Sequence, residues 1–164
     1  MQWMSAAAEQ GQEKAMFYLG EAYLYGIGVE KSLPKALELI RRAAEQRNSE
    51  AQTFMGGFYA TGTGVEHSFE EAGKWFLKAA EQGNPKAQAR LGAMYFNGDG
   101  FEQSYEKALG WYVKAAELGE SDAQTYAGWI YHRGLGENGS PETAREYYLK
   151  AAEQGDPQAM YFLG

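Results

Sequence analysis

Apolar positions along this chain return on two spacings at once. Locally they fall three and four residues apart, as at Ala51, Met55, Gly56 and Tyr59, which puts them on one stripe of an α-helix. At longer range the stripe itself returns every 36 residues: Ala15, Ala51, Ala87, Ala123 and Ala159 are in register, as are Gly20, Gly56, Gly92, Gly128 and Gly164, and Tyr23, Tyr59, Tyr95 and Tyr131. A fixed period of this size with two helical patterns per unit predicts an array of helical hairpins, each burying its apolar face on the next.

The first helix of each full unit is expected over 13–25, 49–61, 85–97 and 121–133, with a fragment from 157, and the second over 33–46, 69–82, 105–118 and 141–154. Residues 1–10 match the second-helix pattern one period later. Asn48, Asn84 and Asp156 stand where a first helix needs a side-chain acceptor for its orphan amides, and Ser32, Ser68, Ser104 and Ser140 do so for the second, with Ser68 and Glu71 spaced as a capping box. Gly-x-Gly pairs (Gly26 and Gly28, Gly62 and Gly64, Gly98 and Gly100, Gly134 and Gly136) close the first helices, the first glycine suiting a left-handed cap. Val29, Val65 and Phe101 follow and should tuck the loop onto the core; Glu137 breaks that pattern. Glycines inside the first helices, Gly20, Gly56, Gly92 and Gly128, each cost about 1 kcal/mol relative to alanine, so close helix approach is expected there. Gly11, Gly83, Gly119 and Gly155 end second helices, and Arg47 replaces that glycine once.

The unit Ala-x-x-x-Leu-Gly-x-x-Tyr-x-x-Gly-x-Gly-Val followed by Lys-Ala-x-x-Trp-x-x-Lys-Ala-Ala-Glu-x-Gly resembles the Sel-one-like repeat family, a branch of the tetratricopeptide-type helical repeats. Residues 85–119 carry it most fully, with Ala87, Leu91, Gly92, Tyr95, Gly98, Gly100, Lys107, Ala108, Trp111, Lys114, Ala115, Ala116, Glu117 and Gly119. The resemblance implies an all-α fold, a right-handed superhelical solenoid of antiparallel helix pairs, and a role as an adaptor in protein complexes. The expected organisation is one repeat domain over 1–164: a partial unit at 1–12, full units at 13–48, 49–84, 85–120 and 121–156, and a partial unit at 157–164.

Composition narrows the function classes. At 45% hydrophobic and 15% aromatic the chain has the means to bury a face in every unit. A net charge of -7 argues against nucleic acid, because phosphate binding draws on clustered Lys and Arg. The absence of cysteine rules out disulfides and thiolate metal sites, leaving cytoplasm and periplasm both compatible. No apolar run reaches the eighteen residues a membrane span requires, and Met1 to Gly11 lacks the charged-then-apolar order of a signal peptide, although the chain begins and stops inside helical patterns, as if cut from a longer array.

Candidate chemistry is sparse, and no catalytic residue, cofactor or metal is expected. Ser32-x-x-Lys35 and Ser104-x-x-Lys107 match the Ser-x-x-Lys of penicillin-recognising enzymes, but both serines recur with the repeat as helix caps and no partner motif accompanies them. His67 and His132 have no metal-ligand spacing around them. Arg41, Arg42 and Arg47 form a basic spot on an acidic chain, read as a solvated face.

The residues the repeat does not require are more telling. If, as in related arrays, first helices line the concave side, their remaining phases form the working surface. On that surface Phe17, Glu21, Leu24, Tyr25, Phe96, Asn97, Trp129, His132 and Arg133 are the candidate partner-binding residues, and the 49–61 copy, with Thr53, Gly57, Ala60 and Thr61, is a smooth floor. Trp129 takes a phase filled elsewhere by Glu21, Gly57 and Ala93, so stacking does not demand it, and Trp with Arg is enriched at interface hot spots. Tyr18, Phe54, Tyr126 and Phe162 share a recurrent aromatic phase and are read as packing. The expected partner is a protein or peptide; a cell-wall glycan or peptide is the alternative, and a penicillin-interacting enzyme a remote one.

Overall fold

The structure, a computed structural model, describes residues 2–135 and 139–164. Among the described residues there are ten α-helices and no strand. A single helix, α1 (Gln2–Glu9), precedes four hairpins: α2 (Glu13–Tyr25) with α3 (Leu33–Glu45), α4 (Ser49–Thr61) with α5 (Phe69–Glu81), α6 (Pro85–Asn97) with α7 (Tyr105–Glu117), and α8 (Ser121–Arg133) with α9 (Pro141–Glu153). A last helix, α10 (Pro157–Leu163), follows. First helices begin and end where the periodicity places them. Second helices stop one residue sooner, because Gln46, Gln82, Leu118 and Gln154 have ψ of 17°, 1°, 4° and 1° and so leave the helical region.

The chain forms two compact units, Met1–Asn84 and Pro85–Gly164. In the first, Met16, Ile40, Met55, Ala43 and Ala51 are sealed from solvent, with Tyr23, Leu37, Val65 and Trp75 packed around them. In the second, Leu91, Tyr112, Ile130 and Tyr148 take those places.

The helix-interior glycines do what their cost demands. A Cβ on Gly56 would sit 2.6 Å from the Phe76 ring, one on Gly92 2.7 Å from Tyr112, and one on Gly128 2.9 Å from Tyr148, so each glycine lets a second-helix ring lie against the first-helix backbone. In the first three hairpins the loop returns by one repeated contact. The amides of Ser32, Ser68 and Ser104 donate to the carbonyls of Tyr23, Tyr59 and Tyr95 at 2.8, 2.9 and 2.9 Å. Gly62 and Gly64, both with φ near 70°, make the reversal that brings Ser68 back to Tyr59. Phe101 stacks on Tyr95 with centroids 4.5 Å apart, and Val65 packs on its unit's core, as expected of the loop residues. Gly136 and Glu137 lie outside the described residues.

Capping departs from the expected pattern at two places. Asn48, Asp156, Ser68, Ser104 and Ser140 cap with their side chains, whereas Ser32 makes no such bond. At Ser68 only half of the capping box forms: its hydroxyl accepts from the Glu71 amide at 3.2 Å, but its own amide is engaged by Tyr59, and the Glu71 carboxylate pairs instead with Lys74 at 2.6 Å.

Buried glutamines, which the apolar pattern does not reveal, join successive hairpins. Gln52 Nε2 donates to the Ala44 carbonyl at 3.0 Å and its Oε1 accepts from Gln82 at 2.7 Å; Gln124 does the same with Ala116 at 3.2 Å and Gln154 at 2.8 Å. Each adds a second hydrogen bond to a last-turn carbonyl of a second helix, which also accepts from the backbone amide of Arg47 or Gly119.

Candidate functional site: an aromatic pocket on the first helices

In the second unit, the first helices α6 and α8 together with α10 enclose an open pocket of about 490 Å³. Phe96, Tyr126 and Trp129 form one side and Tyr161 and Phe162 the other, with Thr125, Pro157 and Gln158 completing the lining. The rings hold one another in place. Phe96 meets Tyr105, Tyr126 and Trp129 edge-on at 5.3, 5.9 and 5.4 Å, Tyr126 stacks on Tyr112 at 5.3 Å, and Phe162 stacks on Tyr148 at 5.0 Å. Such pairs add about 0.5–1.5 kcal/mol each beyond area burial and fix ring orientation. Burial pushes the phenols of Tyr112 and Tyr148 up, so both supports are neutral rings at physiological pH.

Arg133 lies one helical turn beyond Trp129, and its guanidinium sits 5.4 Å from the centre of that ring. Thr125 is the polar residue of the inner wall. It is only 3% exposed, and its Oγ1 has no hydrogen-bond partner among the described residues.

Phe96 and Trp129 are therefore in ring contact, and Arg133 stands over the Trp129 ring. His132 and Asn97 are exposed but stand aside: the His132 ring is 6.5 Å from Tyr148, and Asn97 donates to Asp99 in the following loop at 3.1 Å. In the first unit Tyr25 is 59% exposed, while Glu21 and Leu24 are half-buried and Leu24 packs on the core. Phe17 needs correcting. It does not lie open on a working surface; at 5% exposure it belongs to the core of the first unit, where its ring packs edge-on against Phe54 at 5.4 Å.

Six of the eight lining residues were not among the candidates. Tyr126 and Phe162 do pack, on Tyr112 and Tyr148, yet their outer faces line the pocket; Thr125 and Tyr161 fall at a phase where the other copies have Phe17, Thr53 and Ala89. The usable signal was the disagreement among copies at that phase.

Other motifs resolve into structure. Ser104 accepts from the Lys107 amide at 3.2 Å while Lys107 Nζ lies over the Tyr95 ring at 5.5 Å, and Lys35 Nζ lies over Tyr23 at 5.1 Å. Both lysines of the Ser-x-x-Lys pairs thus rest on repeat tyrosines. Arg47 lines a polar cleft of about 420 Å³ with Trp75 and Lys78, but Glu45 and Glu81 line it too, so charge there is balanced. No group of three or more His, Asp or Glu side chains poised for a metal occurs among the described residues. No helix of the structure is long and apolar enough to cross a membrane.

Stacked antiparallel helical hairpins of this length define a tetratricopeptide-type repeat protein. More narrowly, the Sel1 repeat model matches residues 1–12, 13–48, 49–84, 85–120 and 121–156, and the chain belongs to the Sel1 repeat family. A Sel1 repeat protein from Oxalobacter formigenes is 36% identical and superposes with a TM-score of 0.92 over 97% of this chain and 65% of its own. A protective antigen present in uropathogenic Escherichia coli strains, with an SLR fold, is 36% identical with a TM-score of 0.92 over 99% of this chain and 35% of its own. An immunity protein from Pseudomonas aeruginosa is 27% identical, with a TM-score of 0.61 over 98% of this chain and 59% of its own. The chain thus spans about two thirds of the first of these relatives and about one third of the second. No curated protein matches the sequence. Sel1 repeat proteins are helical scaffolds used in protein–protein interaction.

Proposed function

We propose that this chain is a non-enzymatic interaction module that binds a peptide or protein segment through the first-helix face of its second unit. The carrying observation is the pocket itself: an apolar recess of about 490 Å³ walled by Phe96, Tyr126, Trp129 and Phe162, where Trp129 fills a position that the other copies leave to Glu21, Gly57 and Ala93. A ring that stacking does not need, held half-open by its neighbours, is costly unless something covers it. Because Phe96 and the Tyr112–Tyr126 stack already fix the walls, a ligand side chain would enter a preformed site and lose little affinity to ordering it.

The test is capture of a protein partner from the native cell on immobilised wild type and on Trp129→Ala, both shown helical by circular dichroism. Loss of the partner at equal helicity supports the reading; equal capture by the two chains overturns it.

A further inference from the structure

We infer that the pocket on α8 recognises a dipolar peptide: one apolar side chain buried against Trp129, a carboxylate on Arg133 and a basic group toward Asp122. This rests on the proposed peptide-binding reading and adds the chemistry of the occupant. Asp122, Tyr126, Trp129 and Arg133 are spaced four, three and four residues apart, which places them on a single stripe of α8 with an acid at one end, two rings in the middle and a base at the other. Both charged ends are exposed, and among the described residues neither makes a salt bridge.

The guanidinium of Arg133 lies 5.4 Å from the centre of the Trp129 ring, and among the described residues no carboxylate pairs with it; its N–H fork can meet a carboxylate of the ligand, and the ring contact restricts the side chain before any ligand arrives. A buried side chain beside it would also exclude water from the pair and strengthen it. Eleven residues of helix separate Asp122 from Arg133, about 16 Å at 1.5 Å per residue, which about five residues of extended peptide span. The occupant is therefore a short segment with its two charges four or five positions apart and a leucine-sized or aromatic residue between them.

The probe is a phage-displayed library of random twelve-residue peptides, selected separately on the wild type and on Arg133→Glu, with both chains checked for equal helical content. Selection of peptides that carry an acidic residue beside an apolar anchor by the wild type, replaced by a basic residue at that place on Arg133→Glu, supports the inference. A peptide chosen by the wild type should then bind Arg133→Glu at least about fivefold more weakly, the scale of an ion pair replaced by like charges. If the wild type selects peptides with no charge preference, or both chains select the same ones, the dipolar occupant is overturned while peptide binding stands. If selection on the wild type yields nothing beyond that on Trp129→Ala, peptide binding and this inference fall together.

Discussion

Helices α4 and α8 occupy the same place in the second and fourth full repeats, yet present different surfaces. Along α4 the outward positions are Glu50, Thr53, Gly57 and Thr61; along α8 the same positions are Asp122, Thr125, Trp129 and Arg133. On α4 the hydroxyls are satisfied within the helix, Thr53 donating to the Ser49 carbonyl at 2.8 Å and Thr61 to that of Gly57 at 2.9 Å, and a Cβ on Gly57 would meet nothing within 4 Å. On α8 the equivalent threonine hydroxyl is buried without a partner, and the tryptophan stands against Phe96 beneath an arginine. Two helices with one stacking stripe thus differ where stacking makes no demand. Shared positions report the fold, and on the proposed reading the divergent ones meet the ligand.

The largest effect should come from attacking a shared position. Gly92→Leu forces a branched side chain into the place where a lone Cβ already comes within 2.7 Å of Tyr112, and overpacking of this kind costs up to about 3 kcal/mol and occasionally more. Urea unfolding should show a clear fall in the midpoint; an unchanged midpoint would break the close-approach account of these glycines. Next in size is Trp129→Ala, which gives α8 the residue that α6 carries as Ala93. Hot-spot truncation costs about 2 kcal/mol or more, so partner affinity should fall at least tenfold.

Most of the fold was legible because hairpin stacking imposes the same requirements on every copy, so Ala51, Gly56 and Tyr59 announce themselves by recurrence. The candidate site was legible only in part. Trp129 and Arg133 stood out as departures, but Tyr126 and Phe162 recur and were therefore assigned to packing; a ring can stack on Tyr112 with one face and line a pocket with the other, and periodicity carries no record of the second face. Phe17 erred in the opposite direction. Its phase looks outward on a single helix, yet the neighbouring Phe54 covers it, and helical phase does not encode which neighbour's side chains lean across. The glutamine bonds at Gln52 and Gln124 escaped because a buried polar residue on an apolar stripe reads as a break until the carbonyl it satisfies is known.

Smaller effects sharpen the same contrast. Adjacent glycines on α4 should respond in opposite directions: Gly57→Ala, with open space around the new methyl, gains about 0.5–1 kcal/mol of helix stability, whereas Gly56→Ala, 2.6 Å from Phe76, loses stability. Equal responses in thermal melts would remove the distinction between shared and free positions. At the end of α3, Arg47 alone among the described non-glycine residues has a left-handed backbone, with φ of 68°. Arg47→Gly relieves a strain of about 1 kcal/mol, less what the more flexible unfolded chain takes back, so a rise of about 0.5 kcal/mol is expected from chemical denaturation. A loss of stability would mean that the arginine side chain contributes more than its backbone costs.

The central claim, that one outward position of the repeat binds where it carries Trp129 and not where it carries Gly57, is tested most directly by the dissociation constant of the captured partner for Trp129→Ala and Gly57→Ala, measured side by side by isothermal titration calorimetry. An affinity at least tenfold weaker for Trp129→Ala, with Gly57→Ala within about twofold of wild type, is the predicted result. Equal affinities for both variants and the wild type would contradict it.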